Sequence, residues 1–122
     1  MILNSCTAGK VAIKTGIEEI RFGYGGGFTG KVTTYLLMPD GHLSIEGKER
    51  KILKRIDLKS TLAIFTNEQE VETVSLNEPD NVYSFVEIKT RVKTNHIVWG
   101  FGSTQVPDKV VQLYNKLIFL TK

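Results

Sequence analysis

A chain of 122 residues is long enough for one hydrophobic core and too short for two ordinary domains. Its hydrophobic fraction of 41% and charged fraction of 24% are close to globular averages and exclude extended disorder and fibrous structure. No run approaches the roughly 18 consecutive apolar residues of a membrane-spanning helix, so no transmembrane helix is predicted in the folded part.

The first 15 residues are weakly patterned and are predicted to form a flexible N-terminal segment. They contain the chain's single cysteine, Cys6, so no intramolecular disulfide can form. The run Leu3-Asn4-Ser5-Cys6 is similar to a bacterial lipobox, which makes Cys6 a candidate lipidation site. A secretory signal also needs a basic region and an apolar region of about 7 to 15 residues, and only Met1 and Ile2 precede this run. Either a true signal lies upstream of Met1, or the similarity is accidental.

Residues 17–24 are predicted to form a strand, with Ile20, Phe22 and Tyr24 on one face. A glycine-rich loop over residues 25–30 follows, and residues 31–38 have the β-branched and aromatic composition of a second strand. The turn residues at positions 39–42 then lead into a third strand at 43–45. We expect three antiparallel strands in this half of the chain.

Five cations lie close together after these strands, and the net charge of the whole chain is +3. They are Lys48, Arg50, Lys51, Lys54 and Arg55. Proteins that grip single-stranded nucleic acid add exposed aromatic rings to such a basic surface, and no ring interleaves with this cluster. The prediction is a solvated charged edge, with no nucleic-acid partner.

Asp57 is a plausible N-cap for a helix predicted over about residues 57–74, with Leu58, Leu62 and Phe65 at helical spacing. Residues 76–81 include Pro79 and other turn formers and are predicted to be a loop. Two antiparallel strands follow, over residues 82–93 and 95–101. Alternation in the first strand places Tyr83 and Phe85 on its polar face.

A second helix is predicted over about residues 107–121, opened by Pro107 and Asp108 and carrying a continuous apolar stripe. A sheet with one wet face needs an apolar cover over the other face. The predicted fold class is therefore α+β: an antiparallel β-sheet built from hairpins, with the two helices packed on one face. Residues 16–122 are expected to form this single domain.

The glycine loop formally fits two nucleotide-binding patterns, but its context does not. A phosphate loop needs a following helix and a hydroxyl beside its lysine, whereas Val32 stands next to Lys31 and the segment favours a strand. The loop is instead predicted to be a wide hairpin connection whose glycines adopt positive φ. Gly26, Gly27, Phe28 and Thr29 are its candidate contact residues.

The sequence contains no recognisable set of catalytic residues. His42 and His96 have no partner at metal-ligand spacing, so no metal or other cofactor is predicted. Five acidic residues favour a solvated charged surface over paired catalytic carboxylates, because general acids need burial to shift their pKa. These residues are Glu68, Glu70, Glu72, Glu78 and Asp80. The chain is predicted not to be an enzyme.

Aromatic residues of the last hairpin admit two interpretations. Ile97, Trp99 and Phe101 share one strand face, and burial of that face in the core is favoured by the area an aromatic ring buries. The alternative is an exposed aromatic rim that also includes Tyr83 and Phe85, which would mark a protein-binding surface.

The order of elements, with Gly26-Gly27-Phe28-Thr29-Gly30 after the first strand and a last helix opened by Val106-Pro107, resembles the emfourin-like proteins. These are small proteinaceous inhibitors of thermolysin-like metalloproteases. The resemblance covers about residues 17–120. That family usually has Ser before the two glycines and Ala after the Phe, where this chain has Gly25 and Thr29. The Cys6 context also resembles uncharacterised lipoproteins of the Bacteroidetes type.

Three hypotheses follow for function. The first is a non-enzymatic protein-binding domain of the cell envelope or periplasm, lipid-anchored through Cys6, whose partner is a metalloprotease that it inhibits. The second is an envelope lipoprotein with a structural or ligand-binding role and no inhibitory activity. The third is an enzyme of unrecognised type. A cytoplasmic location remains the alternative to the envelope.

Overall fold

A computed structural model describes residues 15–27, 30–47, 49–103 and 105–122 of the chain. The described elements are, in chain order, β1 (Ile17–Gly26), β2 (Thr33–Leu37), β3 (His42–Glu46), β4 (Lys51–Arg55), α1 (Leu58–Gln69), β5 (Leu76–Glu78), β6 (Val82–Thr90), β7 (Thr94–Gly100) and α2 (Asp108–Leu120). None of the helices in these ranges is long and apolar enough to cross a membrane.

The described strands form one seven-stranded sheet in the order β4-β3-β2-β1-β6-β7-β5. Neighbouring strands are antiparallel except β5, which runs parallel to β7. The long strand β1 lies at the centre, with β2 on one side and β6 on the other. This sheet with its two helices confirms the predicted α+β class.

One face of the sheet carries the apolar residues that alternate along the central strands. Ile20 of β1 pairs with Leu37 of β2 and with Ile88 of β6, and all three are fully buried. Phe65 of α1 and Leu117 of α2 belong to the same buried cluster, so both helices cover this face as predicted. Burying each such side chain contributes about 1.5–3 kcal/mol, which makes this layer the main source of stability.

Both helices begin where the sequence predicts, but α1 is shorter than expected. The Asp57 carboxylate accepts a hydrogen bond from the Ser60 amide at 3.0 Å and so caps α1. The helix ends at Gln69, and residues 70–73 form turns, so its predicted extension to residue 74 is wrong. The β-branched residues Val71, Thr73 and Val74 lower the helix propensity of this segment, and Val71 still reaches the core. Helix α2 matches its prediction within one residue at each end.

Two strands were not predicted. Residues 51–55 of the basic cluster form β4, an edge strand that pairs with β3 and in which every residue is exposed. Part of the predicted loop over residues 76–81 is the short strand β5, which pairs with β7. In both cases the pairing to a neighbouring strand decides the structure, and local composition does not reveal it.

Candidate functional site

Three connections leave the same end of the sheet. Gly26, the last residue of β1, pairs with Val82, the first residue of β6, and Tyr83 pairs with Gly100, the last residue of β7. The β1–β2, β5–β6 and β7–α2 connections therefore lie side by side. We call this region, residues 24–27, 30–32, 79–83 and 100–103, the loop end.

Glycines allow the backbones of the loop end to approach closely. Gly26 and Gly27 have φ angles of 85° and 78°, which L-residues with a side chain rarely adopt. A Cβ atom on Gly26 would lie 1.8 Å from the carbonyl oxygen of Asn81, and the Gly27 amide donates a hydrogen bond to that same oxygen. A Cβ atom on Gly100 would lie 2.5 Å from Cβ of Asp80. These contacts fix the three connections relative to one another.

The structure places the predicted contact residues Gly26 and Gly27 in the loop end, whereas Phe28 and Thr29, like the candidate lipidation site Cys6, lie outside the described residues. The segment after the glycines is the strand β2 and not a helix. A phosphate loop needs a helix N-terminus at that position. The geometry therefore agrees with a hairpin connection.

Apolar side chains project from the loop end into solvent. Tyr24, Val32 and Val82 are each more than two-fifths exposed, and Phe101 is 88% exposed. Ile97 and Trp99 are buried as favoured from the sequence, but the expectation that Phe101 joins them is wrong. Strand β7 ends at Gly100, so Phe101 lies in a turn where the alternation of the strand no longer holds.

Tyr83 and Phe85 lie on the face of β6 that points away from the helices, which we call the open face. Tyr83 is half-buried, but Phe85 is only 7% exposed, so the prediction of an exposed Phe85 ring is wrong. Its paired residue on β1 is Gly23, and a Cβ atom there would lie 3.2 Å from the Phe85 ring. The His96 ring stacks beside it, with centroids 6.0 Å apart. The missing side chain of Gly23 thus provides the space that Phe85 fills.

A shallow pocket of about 500 Å³ extends from the loop end along the open face. It is lined by Arg21, Val32, Thr34, Glu46, Tyr83, Phe85, Glu87 and His96. Polar and apolar surface contribute about equally to its walls, so it suits a small ligand that combines polar groups with an apolar face.

Arg21 is the cation shared by the carboxylates in and beside this pocket. Its Nε atom donates a hydrogen bond to Glu46 at 2.8 Å, and its two terminal nitrogens lie 3.5 Å from Glu19 and 3.7 Å from Glu87. The hydrogen bond to Glu46, opposed by partial burial and assisted by the three carboxylate charges, raises the pKa of Arg21 above its ordinary value. His96 Nδ1 lies 3.0 Å from the other oxygen of Glu87. Arg21 is thus ion-paired with the carboxylates, and Glu87 also contacts His96.

A second histidine–carboxylate pair lies outside this pocket, in the turn between β2 and β3. Nδ1 of His42 lies 2.6 Å from Asp40, whose carboxylate also accepts a hydrogen bond from the His42 amide. Burial would raise the pKa of Asp40, but the hydrogen bonds from His42 and the charges of His42 and Arg55 together lower it. This arrangement stabilises the turn.

Glu68 departs from the predicted solvated acidic surface. Its side chain is fully buried in α1, and neither carboxylate oxygen meets a hydrogen-bond donor among the described residues. Burial raises the pKa of Glu68 well above its ordinary value of 4.5. The signal was present in the sequence, because Glu68 follows Ile64 and Phe65 at helical spacing and shares their buried stripe.

In the part of the chain that the structure describes, no group of three or more His, Cys, Asp and Glu side chains is arranged to hold a metal ion. The fold and the site thus define a small α+β domain with fixed connections and exposed apolar side chains at one end of its sheet. A scan of the chain against models of known protein families gave no match, and a search of curated proteins also gave none.

Proposed function

We propose that this chain is a non-enzymatic binding domain that contacts a protein partner through the loop end. The observation that carries the proposal is the exposure of four apolar side chains at the loop end, Phe101, Tyr24, Val32 and Val82, beside backbones that approach closely at glycines. Aromatic side chains are enriched at the centres of protein interfaces, where they supply most of the binding free energy.

Preorganisation is the physical reason for placing the contact here. A binding loop that is already ordered loses little conformational entropy on docking, so more of the contact energy appears as affinity. The hydrogen bonds from the Gly27 amide to Asn81 and from the Phe101 amide to the Val82 carbonyl oxygen tie all three connections to the sheet. Phe101 is thus presented from an anchored turn.

Within this proposal the partner is a metalloprotease of the thermolysin-like class, which the domain inhibits by occupying its cleft. Support comes from the resemblance of the Gly26-Gly27 loop and the order of elements to the emfourin-like inhibitors. The three anchored connections at one end of the sheet would supply a rigid wedge for such a cleft.

The direct experiment titrates the purified protein against several thermolysin-like metalloproteases and measures hydrolysis of a small peptide substrate. We expect inhibition at micromolar concentration or below for at least one enzyme, with no cleavage of the inhibitor. Absence of inhibition across the panel would remove the protease hypothesis. A pull-down from envelope extracts then tests for another protein partner. If Phe101→Ser abolishes the capture of that partner, the loop end is still supported as the contact surface.

The pocket on the open face favours a second candidate, a domain that binds a small ligand and inhibits nothing. Arg21, Glu46 and Glu87 would supply charged hydrogen-bonding groups, and Tyr83 would supply a partly exposed ring. A screen of sugars and amino acids by thermal shift tests it. A ligand whose stabilising effect disappears in Arg21→Met would favour this candidate.

The location in the cell envelope and the lipid on Cys6 belong to the same proposal and rest on the Leu3-Asn4-Ser5-Cys6 run. Labelling cells with a radioactive fatty acid tests them in the full-length gene product. Incorporation that Cys6→Ser abolishes would support an anchor, and a fully unlabelled, cytoplasmic protein would contradict it.

A further inference from the structure

We infer that the outer edge of β4 is a docking site for an extended acidic peptide segment, which adds to the sheet as a further strand. β4 is the terminal strand of the sheet, and among the described strands it pairs only with β3. An edge strand presents backbone N–H and C=O groups that a second chain can pair with. Strand addition to such an edge is a recurring mode of peptide recognition.

The two edges of the sheet are not equivalent. β5 has three residues and offers a short edge, whereas β4 has five residues and all of them are exposed. Ile52 is 62% exposed and Leu53 is 39% exposed. Edge strands are commonly protected by short length, lysines or bulges. β4 has lysines and a bulge, but it also exposes two aliphatic side chains, Ile52 and Leu53, that an added strand can cover.

The register of β4 restricts how such a strand pairs. Ser44 pairs with Ile52 while Leu43 pairs with Lys54, so Leu53 is an extra residue that bulges β4. A bulge bends the strand and increases its twist. A segment that adds here must follow that bend, which favours a short flexible peptide over the flat edge of another sheet.

The positive charge of β4 determines which kind of peptide can bind at this edge. Three of the five residues of β4, Lys51, Lys54 and Arg55, are cationic, and Arg50 precedes them. Two antiparallel copies of β4 would bring these cations against one another, and like charges on paired strands are destabilising. The same cations would pair with Glu or Asp of an added strand. The edge is therefore unsuited to a second copy of this chain and suited to an acidic segment.

Existing contacts of these cations leave room for this role. Arg50 lies 4.0 Å from Glu46, Lys54 Nζ donates a hydrogen bond to the backbone oxygen of Lys122, and Arg55 Nε donates one to the backbone oxygen of Asp40 at 3.3 Å. These contacts are made by exposed cations, where solvent weakens ion pairs and hydrogen bonds, so they are easily exchanged. An incoming carboxylate can replace them at little cost.

The test titrates ¹⁵N-labelled protein with a peptide of about eight residues that alternates Glu and Val, a usual strand length. We expect shifts of the backbone amide signals of β4 and of adjoining β3 residues, and binding that weakens with added salt. The double variant Lys51→Glu/Lys54→Glu should bind about five- to tenfold more weakly. Lys109→Glu/Lys116→Glu, on α2, has the same charge change and should bind as the wild type does.

A second peptide separates strand addition from simple charge attraction. The same sequence with N-methylated backbone nitrogens keeps its charges but cannot donate ladder hydrogen bonds, and it should not bind. Equal binding of the two peptides would overturn the inference, as would the absence of β4 shifts at about 1 mM peptide. An equal loss of binding in the α2 control variant would also overturn it.

Discussion

The backbone amide of Gly27 donates a hydrogen bond to the carbonyl oxygen of Asn81, which joins the β1–β2 connection to the β5–β6 connection across the end of the sheet. Both glycines at this point, Gly26 and Gly27, have positive φ. The contact therefore depends on residues that lack a side chain, and it anchors the loop end beside the exposed Phe101.

Gly26→Ala should destabilise the protein by about 2 kcal/mol or more, because the new Cβ would meet the Asn81 oxygen and the residue would keep a positive φ. Urea unfolding measures the loss. Gly102→Ala is the matched control, since a Cβ there meets nothing within 4 Å, and it should change stability by less than about 0.5 kcal/mol. Equal effects of the two variants would contradict the close approach.

Glu68→Gln should remove a pH dependence of stability. The carboxyl of Glu68 ionises near its ordinary value of 4.5 in the unfolded chain, but burial raises its pKa in the folded protein. Its contribution to stability is therefore complete below pH 4.5 and is lost as pH rises from there toward the folded pKa. The loss is about 1.4 kcal/mol for each unit of that window.

Urea unfolding midpoints of the wild type and of Glu68→Gln, measured from pH 4 to pH 8, separate the contribution of Glu68 to stability from that of the other carboxylates. The variant should gain stability relative to the wild type as pH rises. A difference between the two proteins that stays constant over the range would show that Glu68 is not held in its neutral form.

Tyr114→Phe should cost about 1 kcal/mol of folding free energy, because the Tyr114 hydroxyl donates a hydrogen bond at 3.1 Å to the carbonyl oxygen of Gly23. The ring itself packs edge-on against Trp99, with centroids 5.2 Å apart, and that contact survives the change. Thermal unfolding followed by near-UV circular dichroism reports both effects. The Trp99 signal should persist while the melting temperature falls, and an unchanged melting temperature would exclude the hydrogen bond.

Arg21→Met should destabilise the protein by about 1–2 kcal/mol, because Glu19, Glu46 and Glu87 would then face one another without their shared cation. Added salt should reduce the difference by screening the carboxylates. Lys89→Met is the comparison, since Lys89 is half-exposed and, among the described residues, its ion pair is with Glu19 at 3.7 Å. The Lys89→Met variant should lose less than about 0.5 kcal/mol of folding free energy. A larger loss than that of Arg21→Met would contradict the role of Arg21 as the shared cation.

Local sequence patterns predict much of the fold. The two-residue alternation of β6 and the apolar stripe of α2 were sufficient to predict a sheet covered by helices. The exposed strand β4 and the short strand β5 were not predictable in this way, because each is defined by its pairing partner. β4 pairs with the preceding strand β3, and β5 pairs with β7. Charged exposed residues carry no alternation that distinguishes an edge strand from a loop.

The candidate site was predictable only in part. Gly26 and Gly27 were recognised from the loop composition, and their role in the close approach to Asn81 needed the structure. Phe85 is buried because Gly23 on another strand leaves space for it, and no local pattern contains that information. Phe101 is exposed because β7 ends one residue earlier than its alternation suggests.

The measurement that tests the central proposal most directly compares two exposed phenylalanines in protease inhibition. Phe101 is 88% exposed at the loop end, and Phe119 is 75% exposed on α2, so serine at either position should leave folding intact. Inhibition constants are determined for both variants and the wild type against the most strongly inhibited thermolysin-like metalloprotease. We predict that Phe101→Ser weakens inhibition about tenfold or more while Phe119→Ser leaves it unchanged. Inhibition that is unaffected by Phe101→Ser and lost in Phe119→Ser would place the contact on the helices and contradict the account.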